Sequence, residues 1–555
     1  MNFRKYKPYP TLDMPDRQWP SRVITEAPEW VSVDLRDGNQ ALEIPMSLEQ
    51  KIDFFDYLVK IGFKTIEIGF PAASDTEYDF CRYLIDNHLI PDDVAIQVLT
   101  QSRQHIIEKT FEAVKGAPKA VIHLYNSTSE VQRDVVFCMT KDECLKLAVD
   151  GATMLKEIAD ADDSGTQYQF EYSPESYTGT ENDFAVHICD AVCDVWQPTP
   201  ENKAIINLPS TVEMSTPNVY ADRIEYFSRN TRYRDSILIS LHTHNDRGTG
   251  VASSELGILA GADRVEGTLF GNGERTGNAD ILTLALNLFS QGIDPKLDFT
   301  DINETIEVYE RNTLMEVSAR HPYAGTLVYT AFSGSHQDAI SKGMNVQQSK
   351  PHWSVPYLPI DPADVGRSYD PIIRINSQSG KGGIGYVLEQ NYGLQVPKRI
   401  MQIFSREVTR LSDERHEELT PDEIRDLFDK RYINVFQPMR LVHYKEEMID
   451  NDRVMLEATL EKDGEEVVST GKGNGIVAAF CDILEKQLTA SIEIVSYHQH
   501  ALNEGTLSKA ISYVLIRDEN GNEFIGVGIS GNISKSSLRS VASAVNNKIS
   551  FAAVK

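Results

Sequence analysis

The sequence predicts an α/β protein: a (β/α)8, or TIM, barrel, followed by a helical linker region and a duplicated α+β domain at the C-terminal end. Three observations carry that prediction. Eight short apolar runs recur between residues 31 and 269 with helical stretches between them, the rhythm of a barrel of about 250 residues. Motifs rich in polar residues stand at the C-terminal ends of those runs, where barrels keep their active sites. The last part of the chain repeats one pattern twice: hairpin, glycine-rich turn, helix. An open doubly wound sheet is the alternative; the strand count and the placement of the motifs favour the barrel.

In chain order, residues 1–30 are read as an N-terminal arm. Its opening, MNFRKYKPYP, lacks the apolar core of a secretory signal, and Asp13 and Asp16 suit an organellar transit peptide poorly. The barrel is expected over 31–325. Its strands are read at Val31 to Leu35, Thr65 to Phe70, Val94 to Leu99, Ala120 to Leu124, Tyr168 to Tyr172, Ala204 to Leu208, Ile237 to Leu241 and Arg264 to Leu269. The first helix is announced by Ser47 and Gln50 as a capping box, by the stripe Ile52, Phe55 and Val59, and by Gly62 as its stop.

Residues 326–430 are read as linker subdomains. Tyr357 to Asp370 is rich in Pro, Asp and Tyr and reads as loop, and SQSGKGGIGY, Ser377 to Tyr386, is glycine-rich. Arg406 to Lys430 reads as a charged helical connector with a solvated face. The tail, 431–555, holds the repeat. Val454 to Leu460, a turn at Lys462-Asp463-Gly464 and Val467-Val468 lead through GKGNG into a helix from Ile476. Ser512 to Ile516, a turn at Asn520-Gly521 and Phe524 to Ile529 lead through SGN into a helix from Lys535. Neither unit can bury its sheet face alone, so the two are expected to pack together.

Composition narrows the function. The 555 residues exceed one ordinary domain, and at 41% hydrophobic they can bury a sizeable core. With 82 acidic against 54 basic residues the net charge is −28, which argues against nucleic acid or an anionic membrane as a partner. No apolar run approaches the roughly 18 residues of a membrane span. Six cysteines form no C-x-x-C pair; Cys189 and Cys193, four apart, read as packed thiols. A reducing, cytoplasmic setting is expected.

His242 and His244 end the seventh run in ILISLHTHND. Residues i and i+2 of a strand share a face, so both imidazoles can reach one point. Two such ligands need one or two oxygens to hold a divalent cation, and Asp37 in DLRDGNQ ends another strand. Gly38 is read as permitting a turn there that lets Asp37 bind metal while Arg36 reaches a substrate. Glu67 interrupts the apolar run TIEIGF; a carboxylate there needs a partner, and Arg36 is the candidate. His123, Ser173, Glu175 and Thr211 end or follow the fourth, fifth and sixth runs. GNGERTGNAD, Gly271 to Asp280, follows the eighth and matches neither a Rossmann nor a Walker pattern.

DLRDGNQ, EIGFP, HLYNSTS, YSPE, NLPSTVE, HTHND and GNGERTGNAD, in this order, resemble the 2-isopropylmalate synthases. These are metal-dependent barrels named for an Asp-Arg-Glu set, here Asp37, Arg36 and Glu67. The likeness runs from about residue 30 through the GKGNG and GVGIS segments. It implies condensation of acetyl-CoA with 2-oxoisovalerate and thioester hydrolysis to 2-isopropylmalate and CoA. It also implies a homodimer, and a leucine-binding C-terminal domain that feeds back on leucine synthesis.

Asp37, His242, His244 and Asn278 would hold the metal, Mg or Mn with Zn as a further option, and a monovalent cation could activate. Arg36, fixed by Glu67, would stabilise the developing alkoxide; His123, Ser173 and Thr211 would grip the oxoacid. Glu175 and His336 are the proton-transfer candidates, with Tyr369 assisting, and Lys381 could answer the phosphates of CoA. Citramalate and homocitrate synthases share this chemistry. The related lyases use a cysteine in a glycine loop, and no cysteine stands between Cys193 and Cys481. A catalytically inactive sensor is the remaining alternative.

Overall fold

A computed structural model describes residues 2–331, 333–369, 384–385, 388–389, 392–415, 419–462, 464–488, 491–502 and 508–554. Lys381 and most of the glycine-rich run from Ser377 lie outside the described residues. The chain forms two compact units, Met1–Tyr329 with Ile360–Ser368, and Thr330–Pro359 with Tyr369–Lys555.

The first unit is a closed barrel of eight parallel strands in sequential order. They are β1 (Glu29–Ser32), β2 (Thr65–Gly69), β3 (Ala95–Gln101), β4 (Lys119–Ser127), β5 (Gln167–Glu175), β6 (Ala204–Asn207), β7 (Ile237–His242) and β8 (Arg264–Gly267). Each overlaps a run expected from sequence, though β1 ends at Ser32, short of the expected Leu35, where the chain turns into Asp34–Gly38. Strands of a parallel barrel are covered by helices outside and packed side chains inside, so they read as continuous apolar runs rather than alternating ones. The connecting helices include α1 (Leu48–Ile61), α2 (Asp75–Asp86), α3 (Gln104–Val114), α4 (Lys141–Ala161), α5 (Asn182–Trp196), α6 (Pro217–Asn230), α7 (Gly250–Leu259) and α8 (Ile281–Ser290). The Ser47–Gln50 capping box on α1 forms in both directions, and Gly62 closes the helix at φ +113°. Pairing of β4 with β5 sets Ser127 opposite Glu175.

The second unit carries two three-stranded antiparallel sheets. Their orders are β11-β10-β9 and β12-β13-β14. The first comprises β9 (Met439–Asp450), β10 (Arg453–Lys462) and β11 (Glu465–Gly473); the second β12 (Glu493–Ala501), β13 (Ala510–Arg517) and β14 (Glu523–Ser530). The hairpins β10–β11 and β13–β14 and the helices after them, Ile476–Leu488 and Ile533–Val554, are the duplicated pattern. Leu456 and Leu460 of the first repeat share one core with Val514, Ile516, Leu538 and Val541 of the second, so the repeats do pack together. The stretch read as a solvated connector does more. Helices Lys398–Arg415 and Pro421–Tyr432 bury Phe404, Val408, Ile424 and Phe428 against Ile511, Tyr513 and Leu515 of β13. Their charges coat one face, while an apolar stripe on the other covers the second sheet.

Candidate active site

The site grows out of polar residues that the barrel strands turn inward. After β1 the chain enters a π-helical turn, Asp34–Gly38. Gly38 is not there for a left-handed backbone, since it is absent from the positive-φ glycines. A Cβ on it would stand 3.3 Å from Asn272 Nδ2 and 3.4 Å from Thr268 Cγ2, so glycine here permits close packing against the side chains after β8. The turn brings Arg36 and Asp37 to one place: Arg36 Nη1 lies 3.1 Å from Asp37 Oδ1, and Arg36 Nε donates to Glu67 Oε2 at 2.5 Å.

His242 Nε2 and His244 Nε2 lie 3.3 and 3.7 Å from Asp37 Oδ2. The ligand atoms of all three residues fall within 4.8 Å of one another, and all three are buried. Metal–ligand bonds of about 2.1 Å set neighbouring ligand atoms of one octahedron roughly 3 Å apart, so the donor set fits a divalent cation. Asn278 sits beside it, bridged through its backbone to His244. Its Oδ1 is buried and, among the described residues, accepts no hydrogen bond, as a spare ligand would.

Electrostatics separates the two histidines. Burial disfavours the charge on His242, but hydrogen bonds to Asp37 and Glu266 outweigh it and raise the imidazole to about 9. Burial and the charge on His242 push His244 down to about 4. Burial also opposes the Asp37 carboxylate, yet Arg36 and the imidazoles hold it well below the usual range.

Below the metal-ligand cluster runs a buried polar network across the barrel axis. Burial works against the Glu67 charge as well, and Arg36 wins, holding it at about 2. His123 Nδ1 lies 2.9 Å from Glu67 Oε1 and His123 Nε2 2.7 Å from Ser173 Oγ. Facing an ionised carboxylate, Nδ1 carries a proton and donates to it. Gln97 donates to Glu67 at 3.1 Å. Arg264 pairs with Glu171 at 3.1 Å and with Glu266 at 2.6 Å. Glu266 in turn holds His242 Nδ1 at 3.0 Å. Burial and the neighbouring Glu266 raise Glu171 well above the carboxylate range. Such buried partners fix the tautomer and orientation of a ligating imidazole.

Above the cluster opens a cavity of ≈ 340 Å³, lined by Arg36, Asp37, His123, Ser173, Glu175, Thr211, His242 and His244 among others. Ser127 Oγ donates to Glu175 Oε2. Thr211 Oγ1 accepts from the Ser176 N–H at 2.9 Å, which leaves its own proton for a ligand. Glu67 stands fully buried behind Arg36. Two expected site residues belong to the second unit: His336, exposed and stacked on Tyr357 at 4.0 Å, and Tyr369, half-buried.

Sequence reasoning missed Gln97, Glu171, Arg264 and Glu266, and at the rim Gln40, Tyr125, Glu274 and Arg275. Gln97, inside AIQVLTQ, carries the signal that flagged Glu67, whereas Glu171 in QYQFEYSPE and Arg264 and Glu266 in RVEG stand among other polar residues. Arg275, whose Nε donates to Asp246 at 2.7 Å, lies in a loop and carries no such signal.

An eight-stranded barrel with two histidines and an aspartate converging at the C-terminal ends of its strands defines a class, the metal-site (β/α)8 barrels. The HMGL-like family profile matches residues 27–308. A profile described as "Alpha-isopropylmalate synthase, post-catalytic domain-like" matches 326–389, and one described as "LeuA allosteric (dimerisation) domain" matches 418–549. A 2-isopropylmalate synthase of Acetoanaerobium sticklandii is 58% identical over 552 residues, 99% of this chain and 97% of that protein. One of Clostridium acetobutylicum is 53% identical over 554 residues, 98% of this chain and 99% of that protein. The chain belongs to the 2-isopropylmalate synthase family. Among solved structures, a hydroxymethylglutaryl-CoA lyase from Pseudomonas aeruginosa is similar at 16% identity and a TM-score of 0.44, covering 54% of this chain and 97% of that one. Among the described residues no helix is long and apolar enough to cross a membrane.

Proposed function

We propose that the chain condenses acetyl-CoA with 2-oxoisovalerate and hydrolyses the thioester, releasing 2-isopropylmalate and CoA. It works as a cytoplasmic homodimer whose C-terminal domain binds leucine and lowers activity. The observation that carries the chemistry is the Asp37–His242–His244 cluster opening into the same cavity as the Arg36–Glu67 pair.

A divalent cation, Mg or Mn with Zn also compatible with the ligands, would be held by Asp37, His242, His244 and Asn278 and would supply a Lewis acid for the keto carbonyl. Arg36, its Nε committed to Glu67, offers its remaining guanidinium donors to the oxygen on which negative charge develops. Ser173 and His123 form one hydrogen-bonded wall for the oxoacid, and the Thr211 hydroxyl donates to its carboxylate. Glu175 takes a proton from the weakly acidic acetyl methyl, with His336 as its partner in proton transfer and Tyr369 assisting.

The identity of the oxoacid follows from the relatives, since a methylene more or less in an apolar pocket is worth only about 1–3 kcal/mol. The test is CoA release measured against 2-oxoisovalerate, pyruvate, 2-oxobutyrate and 2-oxoglutarate. The highest kcat/KM is expected for 2-oxoisovalerate, with some turnover of pyruvate and 2-oxobutyrate. A preference for pyruvate or 2-oxoglutarate would replace this reading with a citramalate or homocitrate synthase.

A further inference from the structure

The N-terminal arm has no part in the chemistry above, yet it satisfies groups buried in the barrel. Helix α6 presents Asp222, Arg223 and Glu225, all buried. Arg17 donates to the Asp222 carboxylate through Nε at 2.8 Å and Nη2 at 2.9 Å, and Trp19 Nε1 joins at 2.8 Å. The backbone N–H groups of Gln18 and Trp19 donate to Glu225 at 3.0 Å. Buried carboxylates stripped of such donors would be costly, so the arm is anchored where it lies.

Between those two acids, Arg223 turns its guanidinium to the loop that follows Glu175. Nη2 donates to Tyr177 O and Thr180 O at 2.7 Å each, and Nη1 donates to Thr178 O at 3.2 Å and to the Tyr9 hydroxyl at 2.5 Å. Tyr9, from the arm, in turn donates to Thr178 O. Three loop carbonyls thus converge on one buried cation, and an arm hydroxyl completes the set. The residue that turns β5 into this loop is Ser176, at φ +59°, left-handed for a non-glycine. Its N–H is the donor to Thr211 Oγ1. A conformation of that kind persists only where the surroundings over-determine it.

We propose that Tyr9 and Arg223 are positioning residues, through which the arm and α6 hold residues 176–180 in the shape that aims the Glu175 carboxylate and the Thr211 hydroxyl into the cavity. The proposal rests on the proton-transfer role given to Glu175. Tyr9→Phe removes one hydroxyl and leaves the ring; Arg223→Gln removes the cation, and Arg223→Lys returns the charge without the fork.

The full-length variants are to be compared in three measurements: steady-state kinetics with both substrates, the isotope effect with deuterated acetyl-CoA, and amide exchange over 176–180. Misplacement of a reacting group by about 1 Å costs on the order of 10²-fold, so Arg223→Gln is expected to lower kcat roughly 10²-fold and Tyr9→Phe roughly 10-fold. The oxoacid KM should stay within about twofold, the isotope effect on kcat should rise, and the amides of 176–180 should exchange faster. Arg223→Lys should recover part of the loss. Wild-type kcat and wild-type exchange in Tyr9→Phe overturn the proposal, whatever happens to its melting temperature, and this variant decides the matter if Arg223→Gln does not fold. Wild-type kcat in Glu175→Gln would sink the base assignment instead. The exchange measurement then decides positioning alone: faster exchange in Tyr9→Phe upholds it, unchanged protection overturns it.

Discussion

The barrel and the C-terminal unit bury different kinds of polar residue. Inside the barrel lie Asp34, Asp37, Glu67, Glu171, Arg264 and Glu266, with His123, His242 and His244. In the second unit, among the described residues, the buried polar groups are Gln337, Asn546 and serines such as Ser512, Ser536 and Ser540, with no charged side chain. Burying a charge is far more costly than burying a hydroxyl that finds a backbone partner. The barrel bears that cost where a metal and an anionic intermediate would be handled. The serines of the tail serve packing instead: Ser536 Oγ bonds Gly528 O at 2.7 Å, within the contact of the last helix with β14. The barrel interior is built for electrostatic work, and the paired sheets of the C-terminal part for close apposition of helix and sheet.

Breaking charges in the barrel should therefore have the largest effects. Glu175→Gln is expected to lower kcat by about 10²–10⁴-fold while oxoacid binding largely survives, and the same loss is expected for His336→Ala, which lies outside the barrel in the second unit. Wild-type turnover in either variant removes that residue from proton transfer. Arg264→Met leaves Glu266 buried beside Glu171 and without its cation. Loss of one partner of a buried pair costs about 3–5 kcal/mol, to be read by denaturant unfolding of the barrel. A variant as stable as the wild type would mean that the network is not held together by that arginine.

A finer cut separates metal binding from stability. Glu266→Gln keeps the shape of the side chain and removes the charge facing His242 Nδ1. Metal affinity by calorimetry should fall roughly 10–100-fold, the usual effect of losing such an orienting partner. Asp37→Ala and His242→Ala, which remove ligands themselves, should lose more; unchanged affinity in both would disprove the ligand set.

The same contrast explains what the sequence could show. Most of the barrel strands are apolar runs because both faces are covered, and Glu67 stood out as the charge inside one of them. Glu171 in QYQFEYSPE and Arg264 and Glu266 in RVEG have other polar residues around them, so one charge does not stand out there as it does in TIEIG. The metal-ligand cluster was legible because H-x-H spacing is local and Asp37 follows closely on an apolar strand, in the turn after β1. Its partners across the barrel were not, because which strands face each other through the axis is a property of closure. In the tail, β9 and β12 escaped notice. Glu493–Ala501 has no buried residue, and Met439–Asp450 alternates only over its first half before becoming exposed throughout. The helices from Lys398 to Tyr432 read as connectors because charge dominates their composition, although Phe404, Val408, Ile424 and Phe428 mark a buried stripe.

The smallest expected effect is also the one that tests the tail on its own terms. Each repeat carries a G-x-G at the end of its hairpin, Gly471 and Gly473 in β11 and Gly526 and Gly528 in β14. A Cβ on Gly526 would stand 2.0 Å from Ser540 O and 2.2 Å from Ala544 N, and one on Gly471 2.2 Å from Ala479 O. These contacts are to helix backbone, which cannot rotate away as a side chain can. The glycines are thus the device that lets each helix lie flat on its sheet, and the physical content of the repeat. Gly526→Ala should force the last helix outward and destabilise the second unit by about 1–3 kcal/mol, as overpacking does. Because no charge of the barrel is touched, kcat without leucine should stay near the wild-type value. Inhibition by leucine, expected at about 5–150-fold from a coupling of 1–3 kcal/mol, should weaken or vanish. Thermal unfolding and leucine titration of the full-length variant give both readings. A Gly526→Ala enzyme that unfolds at the wild-type temperature would show that the helix has room to spare. One that is destabilised yet inhibited as before would show that leucine acts elsewhere than through this helix and sheet.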